Sequence, residues 1–132
     1  MTSISSFHHV TLSVGDLARS VSWYERVLGM TKAADREGPG WTRALMRSPE
    51  GVVIGLTVHA DASPHAAFDH RRVGLDHLSI ACPDRAAVAA WSDRLDALDV
   101  VHGVIEDVPY GHVLTCRDPD DIPIEFFAPP TN

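Results

Sequence analysis

The feature that most constrains this chain is an internal repeat of about seventy residues. Residues 9–16, His-Val-Thr-Leu-Ser-Val-Gly-Asp, are matched at an offset of 68 positions by residues 77–84, His-Leu-Ser-Ile-Ala-Cys-Pro-Asp. A second match, at an offset of 70, relates residues 47–55 to residues 117–125. Two copies are too few for an open solenoid, so the repeat predicts a closed arrangement with pseudo-twofold symmetry.

Each copy predicts the same order of elements, a strand, a helix and then further strands. Apolar and polar residues alternate in the first strand of each copy, which is the period of a half-buried strand. Asp16 and Asp84 follow at N-cap positions, where a carboxylate accepts hydrogen bonds from unpaired backbone N–H groups, and Gly29 stands where the first helix should stop. Turns at residues 38–40 and 48–51 bracket a strand around residues 42–47, and alternation predicts the next over residues 52–58. In the second copy, strands at residues 110–116 and 122–127 flank a turn at residues 117–121.

The length and the pattern together predict one α+β domain. At 132 residues the chain has the length of a single domain that can bury a real core. We predict one domain over residues 1–132, with modules at about 7–59 and 73–128. Residues 60–72 show no clear period and read as the linker between the modules.

Composition excludes several classes of function. The net charge is −7, so a basic surface for phosphate backbones is not expected and nucleic-acid binding is disfavoured. The apolar stretches are far shorter than the ~20 residues of a membrane span, and the N-terminus shows no secretory signal pattern. We therefore expect a cytoplasmic protein, with Cys82 and Cys116 as reduced thiols in the core.

The same alternation gives each strand a second, small and polar side. Two imidazoles and one carboxylate, from His9, His77 and Glu125, occupy matching positions on this side. If the sheets curl, they can converge as a facial triad that binds a divalent metal and leaves coordination positions open. The other residues on this side are Thr11 and Ser13, Ser79 and Ala81, Gly55, Thr57 and His59, and Pro123 and Phe127.

Other interpretations of the triad remain open. A histidine in a strand is usually a hydrogen-bonded, partly buried residue, and a single Glu in a strand more often faces solvent. Alternatively, Glu125 could accept hydrogen bonds from the two histidines in a closed polar network. The matching places of the histidines in the repeat favour the metal site.

Four segments carry a resemblance to a known family. Residues 9–29, 74–77, 110–111 and 117–127 resemble glyoxalase, bleomycin-resistance and extradiol-dioxygenase proteins, the vicinal oxygen chelate superfamily. The resemblance implies two βαβββ modules related by a pseudo-twofold axis, with a curled mixed sheet that forms a cup around a divalent ion. It also implies that His9, His77 and Glu125 are the metal ligands.

One departure from the family bears on the reaction. The lactoylglutathione lyases of the family carry a fourth ligand where this chain has Gly55, the repeat partner of Glu125. The three-residue set resembles the ring-cleaving dioxygenases, which implies Fe(II), with Zn, Ni or Mn as alternatives. We therefore expect a metal-dependent enzyme that chelates neighbouring oxygens of a small substrate. The alternatives are a glyoxalase-like lyase or isomerase, and a metal-free protein that sequesters an antibiotic or similar ligand.

Further residues are candidates for contact with a substrate. Tyr110 could donate a hydrogen bond to a substrate oxygen, and His59 could act as an acid or base, although packing and solvent exposure explain such residues about as often. Thr11, Thr57 and Phe127 share the polar side and are candidate substrate contacts. The proximity of His8 to His9 is expected to be incidental, His65 and His70 should be solvated, and His102 and His112 remain unassigned. Unpaired sheet edges favour a homodimer.

Overall fold

The computed structural model describes residues 1–62 and 67–131. The chain divides into two compact units, Met1–Ala66 and Ala67–Asn132. In the residues that the structure describes, each unit has one helix and one four-stranded sheet. Among the described residues, no helix is both long and apolar enough to cross a membrane.

The first unit has the order strand, helix and three strands. Its sheet has the strand order β1-β4-β3-β2, in which β1 and β4 are parallel and the other neighbours are antiparallel. The parallel contact between the first and last strands requires a crossover, and the helix lies within that crossover. The elements are β1 (Val10–Ser13), α1 (Leu17–Arg26), β2 (Thr31–Gly38), β3 (Trp41–Arg47) and β4 (Val53–His59).

The second unit repeats this topology. Its sheet has the order β5-β8-β7-β6, again with the first and last strands parallel and the others antiparallel. The predicted α+β class with two βαβββ-like modules is therefore confirmed. The elements are β5 (Leu78–Ala81), α2 (Arg85–Ala97), β6 (Glu106–Val108), β7 (Gly111–Arg117) and β8 (Pro123–Ala128).

Both helices begin and the first one ends as the sequence predicts. Asp16 accepts a hydrogen bond of 2.9 Å from the backbone N–H of Arg19, and Asp84 accepts one of 2.9 Å from that of Ala87. Each carboxylate thus satisfies one of the unpaired N–H groups of a first helical turn. Gly29 has a φ of 68°, a left-handed conformation that glycine adopts without the steric cost of a Cβ.

Alternate residues of each sheet form the apolar core beneath its helix. In the first unit these strand residues pack with Trp23, Tyr24 and Val27, and in the second Trp91 stacks on Phe126 with ring centroids 4.4 Å apart. Cys82 and Cys116 are buried and free, in agreement with the prediction of unpaired core cysteines. The buried strand residues are Leu12, Ala44, Met46, Ile54 and Leu56 in the first unit, and Leu114, Cys116, Ile124, Phe126 and Ala128 in the second.

Candidate metal site and substrate-facing residues

His77 and Glu125 lie side by side in the second unit. His77 immediately precedes β5, and Glu125 stands on the adjacent parallel strand β8. Nε2 of His77 is 3.6 Å from Oε2 of Glu125, and the side chains are 42% and 19% exposed. The sheet therefore brings a nitrogen and an oxygen ligand type together across 48 positions of sequence, at a place that solvent can still reach.

A separate neighbour orients each member of this pair. Oδ1 of Asp76 lies 2.7 Å from Nδ1 of His77, and because a carboxylate accepts, Nδ1 carries the proton and donates. This bond holds the pKa of Asp76 below its ordinary value. The hydroxyl of Ser79 donates a 2.8 Å hydrogen bond to Oε1 of Glu125. Asp76 therefore engages Nδ1 of His77, Nε2 faces Glu125, and Oε2 of Glu125 is not used by Ser79.

The first unit repeats part of this arrangement at His9. Nδ1 of His8 lies 2.8 Å from Nδ1 of His9, so one ring donates to the other. His8 stands at the same offset of 68 from Asp76 as His9 does from His77. The residue before each repeated histidine therefore contacts its Nδ1, with a carboxylate at His77 and a second imidazole at His9. Strand parity does not place His8, because residues 8 and 9 precede β1 and their rings are in contact.

Gly55 occupies the place in the first unit that Glu125 has in the second. Gly55 pairs with Thr11 across β4 and β1, as Glu125 pairs with Ser79. A Cβ at position 55 would lie 2.8 Å from Oγ1 of Thr11 and 3.2 Å from its Cγ2. Position 55 therefore lacks a ligand, and the space that a side chain would enter is already filled by Thr11.

Thr57 is 1% exposed and is hydrogen-bonded to a neighbouring arginine. Its hydroxyl accepts a 2.7 Å hydrogen bond from Nε of Arg43, its register partner on β3. The guanidinium carbon of Arg43 lies 4.5 Å from the ring centroid of Trp41. His59 is the exposed register partner of Trp41 at the end of β4. Thr57, Arg43 and Trp41 thus form a connected group on one face of the first sheet, with His59 beside it.

The remaining candidates have more varied surroundings. Tyr110 is 68% exposed and precedes β7, while Phe127 is half-buried on β8, opposite Val113. His70 is exposed, as expected, whereas His65 lies outside the described residues.

Two histidines that the sequence left unassigned have structural partners. His112 contacts Oδ1 of Asp107 through Nδ1 at 2.6 Å and the hydroxyl of Thr131 through Nε2 at 3.1 Å. His102 contacts Oδ1 of Asp96 at 2.9 Å and the carbonyl of Gly103 at 2.6 Å, and these bonds, the one to Asp96 foremost, raise its pKa. Both imidazoles tie local elements together within the second unit.

Within residues 1–62 and 67–131, no group of three His, Cys, Asp or Glu side chains is assembled to hold a metal ion. The second unit supplies two potential ligands, His77 and Glu125. The first unit supplies His9, whose Nδ1 contacts Nδ1 of His8. An imidazole nitrogen and a carboxylate oxygen are a donor pair suited to Zn, Fe, Ni or Mn.

Comparison with known proteins decides the family. Residues 6–126 match the sequence profile of the Glyoxalase/Bleomycin resistance protein/Dioxygenase superfamily. The chain belongs to this superfamily. The match covers most of the chain and includes both units, so the family resemblance expected from the repeated motifs is confirmed.

Relatives of this superfamily member range from moderate to low sequence identity. A probable lactoylglutathione lyase of Vibrio cholerae serotype O1 is 26% identical over 131 residues, covering 89% of this chain and 86% of the relative. A glyoxylase/bleomycin resistance protein/dioxygenase domain from Frankia sp. EAN1pec has a TM-score of 0.87 at 30% identity, covering 96% and 93% of the two chains. The fosfomycin resistance protein FosX of Listeria monocytogenes, complexed with Mn(II) and sulfate, has a TM-score of 0.67 at 18% identity, covering 96% and 93%, and shows the shared fold.

Sequence reasoning did not single out three residues that organise this superfamily member's candidate sites. Asp76 could have been noticed as the acidic neighbour of His77, and Ser79 as the residue two positions on, on the same side of the strand. Arg43 gave no signal, because its importance depends on its contacts with Trp41 and Thr57.

Proposed function

We propose that this protein is a metal-dependent enzyme that binds two neighbouring oxygens of a small substrate, with His9, His77 and Glu125 as metal ligands. The observation that carries the proposal is the His77–Glu125 pair, with Nε2 and Oε2 3.6 Å apart. Membership of a superfamily that includes dioxygenases and glyoxalases supports it.

The donor pair fits a divalent ion. Two ligand atoms that bind the same ion, each at about 2.0–2.2 Å, must lie within about 4.4 Å of each other. The 3.6 Å between Nε2 of His77 and Oε2 of Glu125 satisfies this limit. Asp76 accepts a hydrogen bond from Nδ1 of His77, which leaves Nε2 as the nitrogen that would bind the metal, and carboxylate–histidine pairs of this kind orient metal ligands. His9, the third proposed ligand, has the imidazole of His8 in contact with its Nδ1 at 2.8 Å.

The protein's residues would fix the substrate while the metal, when bound, supplies Lewis-acid stabilisation of negative charge on the chelated oxygens. Ser79 would keep one Glu125 oxygen occupied and leave the other for coordination. Tyr110 would donate a hydrogen bond to substrate, and His59 would accept or return a proton. Thr11 and Phe127 would line the substrate's position, whereas Thr57, buried and hydrogen-bonded to Arg43, would act through that arginine.

The occupied space at position 55 favours dioxygenase chemistry with Fe(II). A fourth protein ligand there would need a side chain where Thr11 lies 2.8 Å from the required Cβ. Three protein ligands leave positions for both substrate and dioxygen. The second candidate is a lyase or isomerase with Zn, Ni or Mn, which the similarity to probable lactoylglutathione lyases of two Vibrio species favours.

The test is elemental analysis of protein purified anaerobically without a His-tag. We expect about one divalent metal per chain in the wild type and its loss in His77→Ala and Glu125→Ala. His70→Ala and Glu106→Ala are matched controls, because both residues are exposed and in the same unit, and they should retain the metal. Unfolding followed by circular dichroism checks that each variant is folded.

The identity of the metal separates the candidates. Iron, together with oxygen uptake on addition of catechols, would support the dioxygenase. Zinc, nickel or manganese would support the lyase or isomerase. If folded wild type binds none of these metals after reconstitution, the proposal is wrong, and a ligand-sequestering protein takes its place. The homodimer and the cytoplasmic location remain predictions.

A further inference from the structure

One face of the first sheet is positively charged in a protein whose net charge is −7. Register partners in an antiparallel pair lie on the same face, so Arg36 shares this face with Arg43, and Arg47 follows four residues along β3. The two acidic residues of β2, Asp35 and Glu37, pair with Ala44 and Thr42 and therefore lie on the opposite face. Across β1 to β4, all within the described chain, this face holds three arginines and His59 but no carboxylate.

Arg43 is the arginine that the structure holds in place. Its Nε donates to the buried hydroxyl of Thr57 at 2.7 Å, and its guanidinium lies 4.5 Å from the Trp41 ring centroid. The Trp41 ring lies against Gly38, where an added Cβ would come within 2.4 Å of it. A guanidinium fixed by a hydrogen bond and by an aromatic face loses less entropy when it binds a further group.

Arg43 has no anionic partner in residues 1–62 and 67–131. A guanidinium has five N–H donors in a planar fork, and the bond to Thr57 uses one of them. Arg85 shows the contrasting case, since it donates two hydrogen bonds to Asp107 at 2.8 and 3.0 Å. A half-buried cation without a counter-ion gains from binding an anion, most strongly through two parallel N–H···O bonds.

We propose that Arg43 binds an anionic group of the substrate, a carboxylate or a phosphate-like group. The substrate would therefore be an anion. This inference rests on the proposed function, because Arg43 lies on the strand face that carries Thr11, the proposed substrate contact, and His59, the proposed acid or base. Thr57 and Trp41 are then positioning residues for Arg43.

The experiment measures anion binding in metal-free protein. Chelator-treated, ¹⁵N-labelled protein is titrated with sodium acetate and, separately, with inorganic phosphate at constant ionic strength. The Trp41 indole and arginine Nε–H signals are followed, and Trp41→Phe assigns the indole. Saturable shifts with only one of the two anions identify that class, and shifts with both identify an anion site of broad specificity.

Matched variants locate the binding site. Arg43→Gln should weaken the anion's affinity at least tenfold, because a charge-assisted pair is lost. Arg47→Gln removes the same charge from the same strand and should change affinity less than twofold. Thr57→Val keeps the charge but frees the guanidinium, and should weaken binding severalfold, with Arg43→Lys as a second charge-retaining variant.

Metal titration keeps the two proposals apart. Mn(II) binding to Arg43→Gln should equal that of the wild type, so failure of the metal proposal leaves the anion result readable. The inference is overturned if neither anion gives saturable shifts in wild-type protein. It is also overturned if Arg47→Gln weakens binding as much as Arg43→Gln does, since general surface charge would then be the cause.

Discussion

The hydroxyl of Ser79 donates a 2.8 Å hydrogen bond to Oε1 of Glu125, its register partner on the adjacent parallel strand. The bond joins residues that are 46 positions apart in sequence and directs Oε2 toward His77, whose Nε2 is 3.6 Å away. In the first unit the equivalent pair is Thr11 and Gly55, where no such bond can form. One repeat therefore retains an oriented carboxylate, and the other fills its place with a threonine side chain.

Loss of the Ser79 hydroxyl should weaken metal binding. Ser79→Ala leaves Glu125 free to rotate, and removal of a partner that orients a metal ligand typically costs about 10–100-fold in metal affinity. Ser79→Thr keeps the hydroxyl and should stay close to wild type, since Thr11 stands at the equivalent position of the repeat. Competition with a fluorescent chelator measures both affinities. Equal affinity in Ser79→Ala and wild type would show that the hydrogen bond does not orient the ligand.

Steric conflict between positions 11 and 55 should appear as a coupling energy. Gly55→Ala places a Cβ 2.8 Å from Oγ1 of Thr11, closer than packed atoms allow. The substitution should be more favourable by about 1 kcal/mol in a Thr11→Ala background than in the wild type. Urea unfolding of the two single variants and the double variant gives this value. A coupling near zero would mean that Thr11 rotates away without cost.

Acid should remove the stabilisation that Asp107 provides. Arg85, and after it His112, lower the pKa of Asp107 from 3.8 to about 2. A carboxylate with a lowered pKa stabilises the fold above its unfolded pKa, and this is lost as pH falls from about 4 through 2. Asp107→Asn should therefore show a smaller loss of thermal stability than wild type across this window. Asp93→Asn, at an exposed position of α2, should behave like wild type. A steep decline retained in Asp107→Asn would contradict the assignment.

The two cysteines should be unreactive in the native protein. Burial, and after it the charge of Asp118, raises the pKa of Cys116 to about 12, and burial also raises that of Cys82. Because the thiolate is the reactive form, a disulfide reagent at pH 8 should titrate few thiols in native protein and two per chain in denaturant. Rapid reaction of the folded protein would show that the second unit opens around these residues.

The sequence predicted the repeated elements and the helix starts because these depend on local chemistry. Apolar alternation marked β1, β4, β5 and β8, adjoining turns marked β3 and β7, and the N-cap aspartates marked both helices. It did not mark β2, whose residues are almost all exposed, or the three-residue β6. In an edge strand that is exposed on both faces, apolar and polar residues do not alternate, so the sequence pattern cannot reveal it.

The residue types at the candidate sites were visible in the sequence, but their partners were not. The repeat drew attention to His9, His77 and Glu125 because position in a repeat is a property of the sequence. The contacts of His8 with His9, Ser79 with Glu125, and Arg43 with Thr57 were not predictable in this way.

The sequence by itself determined the family, the repeated order of strand, helix and further strands, and the side on which each residue of a predicted strand lies. Strand parity and capping act over a few neighbouring residues, which is why they can be read from the sequence. Only the tertiary structure decided that Asp76 and Ser79 orient His77 and Glu125, that a Cβ at position 55 would meet Thr11, and that Arg43 has no anionic partner within residues 1–62 and 67–131. These properties depend on strand register and side-chain direction across distant segments. Packing between distant segments determines these contacts, and no local sequence pattern indicates them.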